Sequence, residues 1–422
     1  MSINTDLGLI KNDDWLSSSL RWHLSVKSGE GIENLSIEPF KTTDKRIPVR
    51  GANRIIGYSD KSNVDSSTIS IGRVGASGVV HLNEEPSWIT DNSLIIHKFN
   101  SKIFDKKFLR YILEQLNLSQ YSTSTAQPLI TGETIKRRKI AFPDILTQKK
   151  IVNYIEYNVS EIDDLLIKKH QLINLLEQQR QSIITEAVTK GLNPNVKMKN
   201  SGVEWIGDIP EHWDLSKVGY LGRLQNGISK SSDEFGFGSP FISYGDVYKN
   251  EVLPKVASGL VNATEKDKKL YSVEYGDVFF TRTSETIDEI GIASTCFETI
   301  NEATFAGFLI RFRPITNRLS PRFARFYFRS ALGKRYFVKE MNLVTRASLS
   351  QGLLRNFTVL LPSLEEQEEI ASYLKKKTVA IEESITLIKN QIEKLKEYRQ
   401  SLIYEAVTGK IDVRDMELDE VR

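Results

Sequence analysis

Two stretches of the sequence carry basic side chains beside small hydroxyl and amide side chains, in segments punctuated by glycine. The first contains "IPVRGANRIIGY" and "TISIGRVGASG", and the second contains "PFISYGDVY" and "GDVFFTRTSET". Arginine can pair with guanine through two hydrogen bonds, Asn or Gln can pair with adenine, and glycine lets a loop approach the duplex backbone closely. The candidate DNA contacts of these types are Arg50, Asn53, Arg54, Lys61, Arg73, Ser77, Ser243, Tyr244, Arg282, Thr283, Ser284, Arg346 and Gln351.

Arg73 and Arg282 are distinctive because each follows a short apolar strand pattern, "TISIG" or "VFFT", and enters a polar loop. Aligning these two strands places the arginines opposite each other. Solvated loops in all proteins carry such residues, so simple exposure to solvent stays an alternative at every candidate position. The run "KRRK" that begins at Lys136 fits phosphate neutralisation or solvation better than base reading.

The sequence lacks the motifs of enzymes that act on nucleic acids or nucleotides. "GRVGASG" is neither a phosphate-binding P-loop nor a correctly spaced dinucleotide or S-adenosylmethionine loop, and "NPNV" lacks the aromatic residue that stacks a flipped adenine. Asp144 stands where a carboxylate favours the start of a helix. Cys296 and the five histidines form no nucleophile–base or zinc-ligand pattern. We therefore expect no catalytic residues and no metal in this chain.

Length and charge set the limits of the other expectations. The 422 residues are enough for two or three cores, and 57 basic against 54 acidic residues leave a net charge of only +3. A nucleic-acid surface must therefore come from local patches. The single cysteine suggests a reducing compartment, and the sequence has neither an export signal pattern nor about 18 consecutive apolar residues, so we expect a cytoplasmic protein.

An internal repeat is the clearest feature of the organisation. "RQSIITEAVTKG" at Arg180 returns as "RQSLIYEAVTGK" at Arg399, and the same offset of 219 positions pairs Phe142 with Leu361 and everything between them without a gap. Matches at this offset include Pro143 with Pro362 and Gln148 with Gln367. A constant offset over this length indicates an internal duplication.

Each copy predicts one long helix, because apolar residues recur at alternating steps of three and four, as in a coiled-coil stripe. Gly191 and Gly409 are expected to cap the two helices. The natural partner of each stripe is the other copy, which predicts an antiparallel pair within one chain. Arg180 and Arg399 fall on this seam, where they could fix the register, mark a docking point or extend to solvent.

The regions before the two helices resemble each other loosely. "FDKKFLRYIL" is echoed by "PRFARFYFRS", and "STAQPLITGETIKRRKIAFP" parallels "TRASLSQGLLRNFTVLLP". The predicted organisation is an α+β chain with two variable globular domains and two invariant helices. Its boundaries are a first domain at 1–141, a helix at 142–191, a linker at 192–205, a second domain at 206–360, a helix at 361–412 and a tail at 413–422.

This arrangement resembles the specificity subunit of type I restriction-modification systems, over essentially the whole chain. The residues that carry the resemblance are "GANRIIGYSD" with "TISIGRVGASGVVHLNEEPSWITDNSLII", "GDVFFTRTSETIDEIGIAS", "GVEWIGDIPEHW", the helix starts with proline and glutamine, and the "RQSLIYEAVTGK"-like ends. The resemblance implies two target recognition domains that each read half of a split DNA sequence, held apart by the antiparallel helix pair, with a pseudo-twofold repeat.

The resemblance also implies partners. The chain would assemble with two methyltransferase subunits that use S-adenosylmethionine, and with two restriction and motor subunits that use ATP and Mg²⁺. The chain itself would be non-catalytic and would bind no cofactor. Repeated helices would then offer equivalent surfaces to the two methyltransferase copies. A coiled-coil scaffold with two protein-binding heads that never touches DNA is the alternative. The residues expected in the coiled coil and in methyltransferase docking are Ile162, Leu176, Arg180, Glu186, Ile381, Leu395, Arg399 and Glu405.

Overall fold

The computed structural model describes residues 3–10, 14–123, 128–284, 289–340, 347–414 and 416. The chain forms two compact units. The first unit contains Met1–Lys169 and Asn390–Arg422, and the second contains His170–Lys389. Each unit therefore combines one globular head with part of each repeated helix.

The first head, residues 3–142, is built from short strands and two helices that precede the first long helix. Their bounds are β1 Ile3–Thr5, β2 Gly8–Ile10, β3 Leu16–Ser19, β4 Leu24–Ser28, β5 Ile47–Arg50, β6 Ile55–Ser59, β7 Thr68–Gly72, β8 Val80–Asn83, β9 Trp88–Ile89, β10 Ser93–Phe99, α1 Lys106–Gln115, α2 Gly132–Lys136 and β11 Lys139–Phe142, followed by the long helix α3 Ile145–Lys190.

The second head, residues 198–361, follows the first long helix. Its elements are β12 Met198–Asn200, β13 Asp208–Pro210, β14 Asp214–Lys217, α4 Val218–Leu221, β15 Gly222–Asn226, β16 Phe235–Ile242, α5 Tyr244–Lys249, β17 Gly259–Val261, α6 Glu265–Leu270, β18 Val278–Thr281, β19 Thr283–Ser284, β20 Ala293–Thr295, β21 Thr304–Phe305, β22 Leu309–Pro314, α7 Pro321–Arg329, α8 Ala331–Glu340, β23 Ala347–Ser348, α9 Gln351–Asn356 and β24 Thr358–Leu361, followed by the long helix α10 Leu364–Val407.

The two heads share one sheet topology. A four-stranded sheet has the order β4-β10-β7-β8 in the first head and β15-β22-β18-β20 in the second. A three-stranded sheet has the order β6-β5-β9 or β17-β16-β21, and in both heads the last pair is parallel. A two-stranded ladder, β3 with β11 or β14 with β24, leads into the long helix. The loose resemblance seen in the sequence therefore reflects a common fold.

The long helices begin at Ile145 and Leu364, which are 219 positions apart, as the repeat predicts. Asp144 caps the first helix by accepting hydrogen bonds from the backbone N–H groups of Leu146 (2.8 Å) and Thr147 (3.1 Å). These bonds lower the pKa of the Asp144 carboxyl, with the Thr147 hydroxyl bond as the largest cause. The expected structural role of this carboxylate is confirmed.

Within the first unit the two helix segments run antiparallel. Asp163 contacts Arg399 at 3.0 Å, and six residues later Lys169 contacts Gln391 at 2.7 Å. The residue number therefore decreases along the second helix as it increases along the first. The predicted seam is buried or half-buried throughout. Its members Ile381, Ile385, Ile388 and Ile392 are buried although they belong to neither head's core. The coiled-coil prediction is confirmed.

The C-terminal end of each long helix is part of a head's core. Ile403, Ala406 and Val407 belong to the apolar core of the first unit, and Ile184, Ala187 and Val188 belong to that of the second. These two triplets are 219 positions apart. The sequence "EAVT" is therefore repeated for a reason internal to the chain, since both copies fill equivalent places in two cores of one fold.

Gly191 and Gly409 adopt the left-handed conformation predicted for helix caps, with φ of 74° and 68°. Each also lies against a tryptophan of the head in its unit. A Cβ at Gly409 would lie 2.7 Å from the ring of Trp15, and one at Gly191 would lie 3.3 Å from the ring of Trp213. Glycine is needed here both for its conformation and for the close approach of the indole.

No helix among the described residues is long and apolar enough to cross a membrane. Cys296 is buried in the second head, and burial raises the pKa of its thiol to about 11. A thiol with this pKa is protonated at neutral pH and is a poor nucleophile. This environment fits the absence of a nucleophile–base pattern around Cys296 in the sequence.

Candidate nucleic-acid interface

Arg73 directly follows β7 and is held at the end of the four-stranded sheet. Its backbone N–H donates to the carbonyl of Asn92 (2.8 Å), and its own carbonyl accepts from the N–H of Ile130 (3.1 Å). Arg282 directly follows β18 and makes the same two bonds, to Phe308 (2.9 Å) and from Leu349 (2.7 Å). The alignment that places these arginines at equivalent positions is therefore confirmed by the backbone hydrogen bonds.

Among the described residues, the guanidinium groups of these two arginines have no carboxylate partner. Arg73 donates to the hydroxyl of Ser28 at 3.2 Å, and Arg282 donates weakly to the carbonyl of Gly307 at 3.4 Å. Neither forms a salt bridge with any residue that the structure describes. Elsewhere, Arg313 pairs with the buried Asp277 at 2.6 Å, and Arg414 pairs with Asp412 at 2.6 Å. Uncompensated arginines at strand ends are suited to binding an external anion or a base edge.

In the first head, the turn between β5 and β6 lies against the start of the Arg73 loop. A Cβ at Gly72 would lie 2.8 Å from the carbonyl oxygen of Ala52, so the two backbones touch there. Asn53 and Arg54, the next residues of this turn, are exposed, and their side chains make no hydrogen bond within the described part of the chain. Three of the predicted DNA contacts therefore lie together.

The other candidates of the first head are less available. Arg50 donates to Ser87 at 3.2 Å and pairs with Glu85 at 3.4 Å, so its charge is already compensated. Ser77 is buried, and its hydroxyl does not reach the surface. Lys61 is exposed but follows the end of β6 that is remote from the turn with Asn53. Sequence type alone could not separate these residues from the accessible ones.

In the second head, Ser243 has a structural function. Its hydroxyl accepts from the backbone N–H of Asp246 at 3.2 Å, and the Asp246 carboxylate accepts from the backbone N–H of Ser243 at 2.9 Å, which is a capping box at the start of α5. Tyr244 stacks on Tyr248, with ring centroids 5.9 Å apart. The serine was predicted as a DNA contact, yet its side chain is used to begin a helix.

Gln351 and Thr283 lie close to Arg282. Leu349, whose N–H contacts Arg282, is two residues before Gln351, and the Gln351 amide donates to Asn226 at 2.9 Å. Thr283 opposes Ser348 in the ladder of β19 with β23, and Ser284 opposes Ala347. The remaining candidate of this head, Arg346, lies outside the described residues, as do residues 285–288 of the predicted Arg282 loop.

The coiled-coil candidates divide by burial. Ile162 and Ile381 are buried in the seam, and Leu176 and Leu395 are half-buried. These four side chains stabilise the chain itself. Glu186 is exposed, and Glu405 accepts a hydrogen bond from Ser401 at 3.2 Å. Of the predicted docking residues, the two glutamates lie at repeated positions that are not part of the predicted seam, with Glu186 exposed and Glu405 half-buried.

Arg180 and Arg399 form related ion pairs across the helix pair. Arg399 contacts Asp163 at 3.0 Å, and Arg180 contacts Glu382 at 3.3 Å. The partners, like the arginines, are 219 positions apart. Of the roles left open for these arginines, fixing the register is the one that this geometry supports, because the same pair closes twice at equivalent positions.

Arg180 also enters a cluster of charges in the second unit. It pairs with Glu251, which Arg325 contacts at 2.8 Å and Arg329 at 4.0 Å. Although burial would raise it, the pKa of the Glu251 carboxyl is lowered below its ordinary value of 4.5 by the guanidinium groups of Arg180 and Arg325. The helix end is thereby tied to the head as well as to the partner helix.

The sequence did not single out the residues beside the two arginines. Ser28 and Asn226 end the equivalent strands β4 and β15, and Asn92 and Phe308 precede β10 and β22. One signal in the sequence could have located Ser28 and Asn226, because each is followed by a glycine, Gly29 or Gly227. A Cβ at Gly29 would lie 2.1 Å from the carbonyl oxygen of Thr90, so the chain can pass only if glycine stands there.

Among the described residues, no group of three or more histidine, cysteine, aspartate or glutamate side chains is placed to hold a metal ion.

Comparison with known proteins gives a consistent result. Residues 40–178 and 210–397 match the family described as "Type I restriction modification DNA specificity domain". The chain is 23% identical over 395 residues to the type I restriction enzyme MjaVIII specificity subunit of Methanocaldococcus jannaschii, covering 89% of this chain and 83% of that protein. It is 22% identical over 280 residues to the EcoKI specificity subunit of Escherichia coli, covering 64% of this chain and 57% of that protein.

Two solved structures share the fold. One, described as "Structural basis underlying complex assembly and conformational transition of the type I R-M system", contains a chain with a TM-score of 0.71 at 15% identity, covering 95% of this chain and 99% of that chain. The HsdS subunit from Thermoanaerobacter tengcongensis has a TM-score of 0.53 at 15% identity, covering 95% of this chain and 98% of that chain.

Proposed function

The chain belongs to the type I restriction modification DNA specificity family, and we propose from this membership that it is the subunit that selects the DNA sequence of a type I restriction-modification complex. The family match falls in two segments, and each covers most of one head and much of the long helix that follows it. Each head would read one half of a split DNA target. The observation that carries this proposal is the equivalent placement of Arg73 and Arg282, two arginines without a carboxylate partner among the described residues, at matching strand ends.

The two heads support different recognition because they share a backbone but differ in the side chains around the arginine. Asn53 and Arg54 lie near Arg73 in the first head, whereas Gln351 and Asn226 lie near Arg282 in the second. Hydrogen-bonding side chains of these types distinguish base pairs in the major groove. One fold used twice with different loops would give an asymmetric target.

The proposed complex contains partners that carry the catalysis. Two methyltransferase subunits would supply S-adenosylmethionine chemistry, and two restriction and motor subunits would use ATP and Mg²⁺. Glu186 and Glu405 are proposed as paired contacts for the methyltransferase copies, since they occupy repeated positions outside the seam. The chain itself would position these partners on DNA and perform no reaction.

The test is to co-express the chain with its modification subunit in a host without DNA methylation and to map N6-methyladenine across the genome. A split motif that appears only when the chain is present would support the proposal. Methylation that is absent, or that is the same without the chain, would exclude it and favour the scaffold alternative. The Arg73→Ala, Arg282→Ala double variant also separates the two functions. A subunit that reads DNA should lose DNA binding and keep its partner subunits, whereas a scaffold that never touches DNA should be unaffected.

A further inference from the structure

Two four-residue turns lie beside Arg73 and Arg282. In the first head, residues 90–93 form a turn in which the N–H of Ser93 donates to the carbonyl of Thr90 at 3.0 Å. In the second head, residues 306–309 form the same turn, with the N–H of Leu309 donating to Ala306 at 2.9 Å. Asn92 and Phe308 occupy the third position of these turns. The two residues are therefore structural equivalents that differ in chemistry.

Both turns are fixed from two sides. The first residue of each donates its N–H to the end of the neighbouring strand, Thr90 to Arg50 and Ala306 to Ile242, both at 3.0 Å. The third residue accepts from the arginine N–H, as described above. A backbone held at both points cannot move without breaking the sheet edge, so the side chains of Asn92 and Phe308 project from rigid supports.

The side chains of these residues are not used by the fold. Asn92 is exposed, and its amide makes no hydrogen bond with any residue that the structure describes. Phe308 is 64% exposed and contacts no other aromatic ring in the described part of the chain. Each lies directly beside an arginine that lacks a carboxylate partner there. An amide and a phenyl group in such a place are available for a ligand.

The chemistry of the two groups matches different bases. The asparagine side chain can pair with adenine through two hydrogen bonds: its amino group donates to N7, and its carbonyl oxygen accepts from the N6 amino group. A phenyl ring instead makes apolar contact with the 5-methyl group of thymine. Phosphate binding would need a donor or a charge, which Phe308 lacks. Phe308 is therefore suited to contact a base rather than the phosphate backbone, and the Asn92 amide is suited to pair with a base edge.

We propose that Asn92 and Phe308 are specificity-determining residues, with Asn92 reading an adenine in one half of the target and Phe308 contacting a thymine methyl group in the other half. This inference rests on the proposed function. It assigns the difference between the two half-sites to one turn position of the shared fold. The arginine beside each residue would anchor that side of the head to the DNA.

The test uses the co-expressed complex and the variants Asn92→Ala and Phe308→Ala. Asn92→Ala should remove one adenine requirement from one half of the methylated motif, and Phe308→Ala should remove one thymine requirement from the other half, each by roughly 10-fold in discrimination. Asn301→Ala and Phe40→Ala are matched controls, because both residues are exposed and neither belongs to the two turns. The control variants should leave the motif unchanged.

A second measurement isolates the methyl group. Purified complex is bound to duplexes in which deoxyuridine replaces each thymine of the half-site in turn. The unaltered complex should lose affinity at one position, and the Phe308→Ala complex should be indifferent there. If Phe308→Ala does not assemble, Phe308→Leu replaces it, with a reduced but detectable response to the methyl group.

The outcomes separate the two proposals. No split motif with the unaltered chain would reject the proposed function itself. A split motif that Asn92→Ala and Phe308→Ala leave unchanged, or equal sensitivity of both complexes to deoxyuridine, would overturn this inference alone. A uniform loss of methylation without a change in the motif would also overturn it, because these side chains would then supply affinity rather than specificity.

Discussion

Gln148 and Gln367 make the same three hydrogen bonds in the two halves of the chain. The amide of Gln148 donates to the carbonyls of Ile103 (2.8 Å) and Pro143 (2.9 Å), and its carbonyl accepts from the N–H of Asp105 (2.9 Å). The amide of Gln367 donates to Arg318 (2.9 Å) and Pro362 (3.0 Å), and its carbonyl accepts from the N–H of Ser320 (2.8 Å). Both glutamines are fully buried.

Each glutamine thus fastens a long helix to the start of a head helix, because Asp105 and Ser320 cap α1 and α7. We expect Gln148→Ala and Gln367→Ala each to lower the free energy of unfolding by about 1–3 kcal/mol, since buried backbone groups lose their partners. Denaturant unfolding of the purified chain measures this. Gln400→Ala removes an exposed glutamine and should change stability by less than about 0.5 kcal/mol. If the Gln400→Ala variant lost as much stability as the variants of the two buried glutamines, the proposed role of the buried hydrogen bonds would be contradicted.

Arg180 and Arg399 should differ in how much their ion pairs stabilise the protein. Arg399 and Asp163 are well exposed, so Arg399→Ala should cost no more than about 0.5 kcal/mol. Arg180 and Glu251 are mostly covered, so Arg180→Ala should cost at least about 1 kcal/mol more. Denaturant unfolding of both variants under one set of conditions gives the comparison. If Arg399→Ala lowered the free energy of unfolding more than Arg180→Ala does, burial would not determine the strength of these ion pairs.

Glu251 predicts a dependence on pH. Its carboxyl has a lowered pKa in the folded protein, so its contribution is present above the ordinary value of 4.5 and is lost as the pH falls through the lower folded value. The stability difference between the protein and Glu251→Gln should therefore be largest near pH 7 and shrink toward pH 3. Unfolding curves at several pH values test this, and a difference that grows on acidification would contradict the sign.

Arg73 and Arg282 should matter for DNA binding and not for folding. With the assembled complex and a duplex that carries its target, Arg73→Ala and Arg282→Ala should each weaken binding by about 1–3 kcal/mol. Arg414→Ala is the control, because Arg414 is committed to Asp412 and Asp14. Fluorescence anisotropy at two salt concentrations shows whether the lost contact was to phosphate or to a base. Loss of a phosphate contact reduces the salt dependence of binding, whereas loss of a base contact leaves it unchanged. Wild-type affinity in both variants would remove these residues from the interface.

The cap glycines give a test of the close approach to tryptophan. Gly409→Ala should destabilise the protein by about 2 kcal/mol or more, because the conformation is left-handed and the new methyl group would meet Trp15. Gly75→Ala shares the conformation, with φ of 81°, but has nothing within 4 Å, so it should cost only about 1 kcal/mol. Thermal unfolding compares the two. Equal costs would mean that the indole moves aside freely.

Much of the frame could be predicted from the sequence because it is repeated. The offset of 219 positions located both long helices, their seam and their caps, and the strand patterns before Arg73 and Arg282 aligned these residues correctly. Such features are local, since a helix stripe or a strand followed by a loop is written in consecutive residues.

The candidate site was harder to predict because exposure depends on distant residues. Ser77 and Ser243 have the right chemistry, but one is covered and the other caps α5, and neither fact is visible locally. Asn92 and Phe308 reach the arginines through pairing between strands that are far apart in sequence. Burial of the helix ends in the heads likewise follows from tertiary packing.

The core of the first unit joins the earliest and the latest parts of the chain, because Leu402, Ala406 and Val407 pack with Leu20, Phe108 and their neighbours. Domains generally fold as they leave the ribosome, beginning with the N-terminal one. Here the first head has all of its strands long before the side chains that complete its apolar interior are made. A nascent or truncated chain therefore presents an open hydrophobic surface to chaperones and proteases. The apolar interior of the head that is synthesised first is therefore complete only when the chain has been translated as far as Val413.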